Sequence, residues 1–150
     1  MSSIKKPMLI TSWVLQLIVV AIFVMAAMPK LSGAEETKAL FEVLGAEPMG
    51  RYGVGVAELI TAVLLLVPRT SVIGAVVALG VISGAIMSHL TKLGISIDPT
   101  KLGNAALEPI AGPSMFIMAM IVFVSSLGII VIRRSQLPIV GSKLSAAPSA

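Results

Sequence analysis

Four long, nearly uninterrupted apolar runs constrain this chain more than any other feature; they fall at about residues 8–28, 50–67, 71–90 and 113–132. About 20 apolar residues in a helix cross a hydrocarbon core ~30 Å thick. Hydrocarbon offers the backbone no water, so each crossing segment must satisfy its own N–H and C=O groups, as a helix does. The fold expected is therefore all-α: a four-transmembrane-helix bundle, one membrane domain over residues 1–135. Composition agrees, with 57% of residues hydrophobic and 12% charged, against roughly a quarter charged in soluble domains.

Local signals place the ends. Pro29 and Lys30 should close the first span, Ser71 should cap the third, Gly112 and Pro113 should open the fourth, and Arg133 and Arg134 should end it. The second span is the least regular: its clean apolar run, 54–67, is short and contains Glu58. Arg51 and Tyr52 can extend it by sitting at the membrane interface, the arginine by snorkelling, and Pro68 stops it. Lys5 and Lys6 before an apolar run imitate a secretory signal. The run exceeds the usual 7–15 apolar residues of such a signal, however, so it is read as the first helix.

The connecting segments differ in character. Ser32 and Glu35 have capping-box spacing, Leu40, Phe41 and Leu44 share one helical face, and Gly45 can end a turn. These residues predict a short amphipathic helix between the first and second spans. It would be an interfacial connector with its apolar face on lipid or on the bundle, or a lid over a cavity. Segment 91–111, with Asp98, Pro99 and Pro109, should be ordered by turns at most, and the Ser/Ala-rich residues 136–150 read as a disordered cytoplasmic tail.

Charge sets an expected orientation. Lys5, Lys6, Arg69, Arg133, Arg134 and Lys143 lie on one side with no acid among them; the other side mixes Lys30, Lys38, Arg51, Lys92 and Lys101 with the acidic residues. By the positive-inside rule both termini should be cytoplasmic. The net charge of +4 thus reports topology, not a nucleic-acid partner, since no basic stripe with interleaved aromatics is present. The chain contains no cysteine, which removes Fe–S ligation and thiol chemistry from its own side chains, and a single histidine, which cannot supply a two-histidine haem site; no metal-ligand set is visible.

Glu58 is the natural centre of a candidate site, because a carboxylate inside a membrane span costs roughly 2.5–3.5 kcal/mol and is seldom there without a purpose. Gly55, Thr61 and Ala62 share its face, and such small residues favour the bundle interior over lipid. His89, on a stripe with Ala78, Ile82 and Ala85, and Lys30 reach the same side of the bundle from two other helices. Glu58 and His89 are the candidate catalytic pair; Lys30, Arg51, Gly55 and Thr61 are candidate ligand-binding positions. Each also has a structural reading: Glu58 as a carboxylate satisfied by Lys30 or Arg51, His89 as a cap on nearby carbonyls, Lys30 and Arg51 as interfacial anchors. Gly80 and Gly84, with Ser88 on the same face, form a small-residue pattern for packing within the monomer or between copies. Met115, Met118 and Met120 read as lipid-facing or gap-filling.

Taken together, Lys30 with Leu31, Leu44 with Gly45, Gly55-x-x-Glu58-Leu59, Pro68 after a leucine run, Gly84 with Ala85 and His89 with Leu90 resemble the DoxX-like membrane proteins. That resemblance, over about residues 11–138, implies a four-helix protein of the bacterial cytoplasmic (inner) membrane. It also implies a redox association, since the wider family includes proteins linked to a thiosulfate:quinone oxidoreductase. The leading expectation is a quinone-linked subunit or accessory protein in contact with the lipid bilayer and with a redox partner protein. A proton-coupled carrier, which would require a homo-oligomer, and a non-catalytic membrane scaffold remain as alternatives.

Overall fold

The structure, a computed structural model, describes residues 4–137. Six α-helices carry it: α1 (Lys6–Ser32), α2 (Glu35–Leu44), α3 (Met49–Leu66), α4 (Ser71–Ser88), α5 (Pro99–Leu102) and α6 (Ser114–Ile132). A π-helical turn, His89–Leu93, prolongs α4, and short 3-10 turns occupy Ala105–Ile110 and Arg134–Gln136. Four helices, α1, α3, α4 with its π turn, and α6, are long and apolar enough to cross a membrane. Among the described residues there is no strand, only an isolated antiparallel bridge between Ile97 and Gly112. The expected all-α four-helix bundle and its short inter-span helix are both present; most of the expected tail lies outside the described residues.

The four long helices form a ring in which α1 packs against α3 and α6, and α4 packs against the same two. Val19 and Phe23 of α1, Leu65 of α3, Ala75, Ala78 and Ile82 of α4, and Ala119, Val122 and Ile129 of α6 fill its centre. Large apolar residues such as Ile10, Val14, Val63, Val124 and Val131 stay exposed on the outside. This is the inverse of a soluble protein's surface and fits lipid contact. The α3–α4 crossing is tight where the two join: a Cβ on Gly74 would lie 2.9 Å from the Leu65 backbone nitrogen.

Several sequence expectations about element ends need correction. Pro29 does not close α1, which runs through it to Ser32 and ends at Gly33 in the left-handed region (φ 77°). A proline lacks only its own N–H, and near a helix end the loss is tolerated when tertiary contacts hold the last turn. Here the Pro29 carbonyl accepts from Gly33 N, Ala34 N and the Thr37 hydroxyl, at 3.0–3.1 Å. Ser32 is thus a residue of α1 and not the cap of α2; Ala34 stands at the cap without a side-chain bond, so the capping box does not form. Gly45 does end α2, as expected. The cap position of α4 is Thr70, one residue before the expected Ser71.

The two long connections, between α1 and α3 and between α4 and α6, gather at the end of the bundle opposite Lys6 and Arg133, hereafter the loop end, while the short turn between α3 and α4 lies at the other end. Segment 91–111 is more ordered than its turn residues suggested, and its first three residues complete the π turn that prolongs α4. Asp98 caps α5 by accepting from Thr100 N and Lys101 N, and Leu93, Ile97 and Leu107 pack with Ala39 and Leu40 of α2 into a second small core. At the terminal end, Arg133 is 1% exposed. Its Nε donates to Ser12 Oγ at 2.6 Å, which also accepts from Gln16 Nε2 at 2.7 Å. This polar group ties the last turn of the bundle to the first.

Candidate functional site

At the loop end the ring opens into a cavity of about 610 Å³. Its apolar walls come from Ile22, Phe23 and Met25 of α1, Val54 of α3, Val81, Ile82 and Ala85 of α4, and Met115 and Met118 of α6. Leu40, Phe41 and Leu44 of α2 add a further wall over the loop end. The short helix therefore turns its apolar face onto the bundle, and of the two expectations for it, connector and lid, both are compatible with where it sits. The polar lining is sparse: Lys30, Glu58 and His89 inside, with Glu36, Thr37, Ser88, Thr91 and Lys92 around them.

Lys30 and Glu58 meet. Lys30 Nζ lies 3.0 Å from Glu58 Oε1 and 3.1 Å from Oε2, and donates a further bond of 2.9 Å to the Ala26 carbonyl. The residues are 7% and 6% exposed, so this is a nearly buried ion pair between α1 and α3. The close approach that permits it is set at Gly55, one turn before Glu58 on α3. A Cβ there would lie 3.0 Å from Leu31 Cγ and 3.3 Å from Lys30 Cβ. Gly55 thus serves the site by admitting α1, and it is not among the lining residues of the cavity.

His89 reaches the same cavity from α4 but bonds to neither member of the pair. Its Nδ1 lies 2.8 Å from the Gly94 carbonyl, and its ring meets Phe116 edge-on, with centroids 5.6 Å apart. A carbonyl only accepts, so Nδ1 carries a proton and Nε2 is the ring nitrogen left to meet a ligand. The structural reading of His89, a cap on a nearby carbonyl, and its place on the cavity wall are therefore both realised.

Arg51 and Thr61 stand apart from the cavity. Arg51 does not snorkel to the interface: it is 2% exposed. Its Nε bonds both Glu47 oxygens at 2.9 Å, its Nη1 donates to the Lys30 carbonyl, and its guanidinium lies 4.2 Å from the Tyr52 ring centroid. It fastens the start of α3 to the end of α1 directly behind the ion pair. Thr61 is fully buried, with its hydroxyl donating to the Ala57 carbonyl. Gly80 and Gly84 have no neighbour within 4 Å of a Cβ position, so the chain's own helices do not pack closely on them. Between the long helices the close approaches fall instead at Gly55, Gly74 and Gly128. Among the described residues, no three His, Asp or Glu side chains are grouped so as to hold a metal ion.

The polar cluster at the terminal end does not join this cavity. Between Gln16 and Lys30, about 21 Å apart along α1 at 1.5 Å per residue, the bundle is filled by Val19, Phe23, Leu65, Ala78 and Val122, with Thr61, Ser125 and Ser126 as further buried polar side chains. A shallow groove on α6, lined by Phe116, Ile117, Met120, Ile121, Val124 and Ser125, has no convergent polar groups and faces outward.

Fold and surface together define a small integral membrane protein with four membrane-crossing helices. Residues 14–107 match the model of the DoxX-like family, which is more than half of the chain, and the protein belongs to that family. The matched span contains Lys30, Arg51, Glu58 and His89 and leaves out α6. No curated protein and no solved structure matched the chain.

Proposed function

We propose that this protein is a redox-associated subunit of a bacterial cytoplasmic membrane that binds a quinone or similar lipid-soluble molecule in the loop-end cavity. The observation that carries the reading is the union of a ligand-sized apolar cavity with a buried Lys30–Glu58 ion pair at its wall. Cavities of ~300–1,000 Å³ with few, convergent polar groups are the usual form of small-molecule sites. On this proposal the cavity lies at the outer face and both termini are cytoplasmic, an orientation supported by the charge distribution of the loops. In this reading the Glu58 carboxylate exchanges a proton with an oxygen of the bound ring, and His89 orients that oxygen by a hydrogen bond. Electrons come from or go to a partner protein.

Native mass spectrometry of the detergent-purified protein, titrated with a short-chain benzoquinone, tests the reading. One bound molecule per chain is expected, and none in Ala85→Phe, which fills the cavity. Absence of an adduct, or equal binding by the filled variant, refutes it.

A further inference from the structure

The hydrogen-bonding balance of the cavity is lopsided. An ammonium has three donors, and those of Lys30 are spent on Ala26 O, Glu58 Oε1 and Glu58 Oε2. The Thr37 hydroxyl donates to the Ala34 and Pro29 carbonyls, Ser88 donates to Gly84 O, and His89 Nδ1 is committed to Gly94 O. Lys92, which bonds the Leu44 carbonyl, is exposed at the rim and open to water. Acceptors remain in excess. A carboxylate offers about four lone-pair sites, of which Lys30 occupies one on each Glu58 oxygen.

From this balance we propose that the cavity selects a ligand whose polar head is a hydrogen-bond donor: a phenol-type hydroxyl on an apolar body, in preference to a head that only accepts. The inference rests on the cavity being a ligand site, as proposed above, and specifies the chemical class it takes. A hydroxyl can donate to a free lone pair of Glu58 without disturbing the ion pair. A carbonyl or ether oxygen would find the donors of Lys30 and Thr37 committed, and would leave the free lone pairs of the carboxylate unsatisfied. For a quinone-type ligand the same preference means tighter binding of the hydroquinone than of the quinone.

The test uses the full chain in nanodiscs, with protein-free nanodiscs subtracted for partitioning into lipid. Two probe pairs are compared: 4-nonylphenol against 4-nonylanisole, and a decyl-substituted hydroquinone against its quinone under anaerobic conditions. A hydrogen bond to a charged group is worth enough that the donor member of each pair should bind about tenfold tighter or more. In Glu58→Gln, whose amide supplies donors, the ratio should fall to within about threefold. Equal or tighter binding of the ether and the quinone by the wild type overturns the inference and leaves the cavity reading standing. Failure of all four probes to bind overturns both. The wild-type ratios decide the matter even where Glu58→Gln folds poorly, and using two pairs separates donor capacity from the bulk of the ether methyl.

Discussion

Replacing Lys30 by methionine leaves the Glu58 carboxylate at the cavity wall with no cation. At 3.0 Å, the attraction between the two charges amounts to about 5–6 kcal/mol for an effective dielectric of ~20. Desolvation of both partners offsets much of it, so the pair itself is worth less than the loss of one member. Breaking a buried pair typically costs about 3–5 kcal/mol, because the remaining charge is stranded. Lys30→Met should therefore destabilise the protein by roughly 3–4 kcal/mol. Reversible unfolding in mixed micelles, followed by circular dichroism, measures this, and the double variant with Glu58→Gln completes a thermodynamic cycle. The double variant should recover a large part of the loss, with a coupling of about 2–3 kcal/mol. Additive effects, with a coupling below about 0.5 kcal/mol, would show that the pair does not exist in the membrane.

Glycine substitutions should separate the tight crossing from the open face. Gly74→Ala forces a Cβ against the Leu65 backbone and should cost about 1–3 kcal/mol, whereas Gly80→Ala, with open space around it, should be neutral or stabilise by up to ~1 kcal/mol; unfolding midpoints of the two variants check the order. Arg51→Lys keeps the charge but loses the two-pronged grip on Glu47 and Lys30 O, so a loss of about 1.5–3 kcal/mol is expected, along with weaker ligand binding. At the other end, Ser12→Ala removes the acceptor shared by Arg133 and Gln16 and should cost about 1–3 kcal/mol. Since the chain has no cysteine, Asn104→Cys should be labelled in intact cells by an impermeant maleimide and Ser135→Cys should not; the reverse pattern would invert the proposed orientation.

Spans and the leading candidates were legible because they rest on local physics. Runs of apolar residues define crossing helices, and a carboxylate in such a run must find a partner, so Lys30, Glu58 and His89 could be placed at one end before any contact was known. What was not legible depends on who meets whom. Pro29 reads as a stop, yet the three donors that converge on its carbonyl include the Thr37 hydroxyl of the next helix. Arg51 carried one overlooked local signal, Glu47 four residues earlier, but its bond to the Lys30 carbonyl is tertiary. The pairing of Ser12 with Arg133 spans 121 residues and leaves no trace in local spacing. Gly80 and Gly84 show the opposite failure: a recognisable close-packing pattern that the chain's own helices do not use.

Photo-crosslinking in native membranes tests the central claim most directly. A lipid-soluble benzoquinone bearing a photoreactive group should label the cavity walls, on peptides that contain Met25, Val54 and Ala85. The labelling should be abolished by Ala85→Phe and reduced by Glu58→Gln. Labelling that falls instead on the outward groove of α6 around Ile117 and Val124, and that survives Ala85→Phe, would contradict a ligand site built around Lys30 and Glu58.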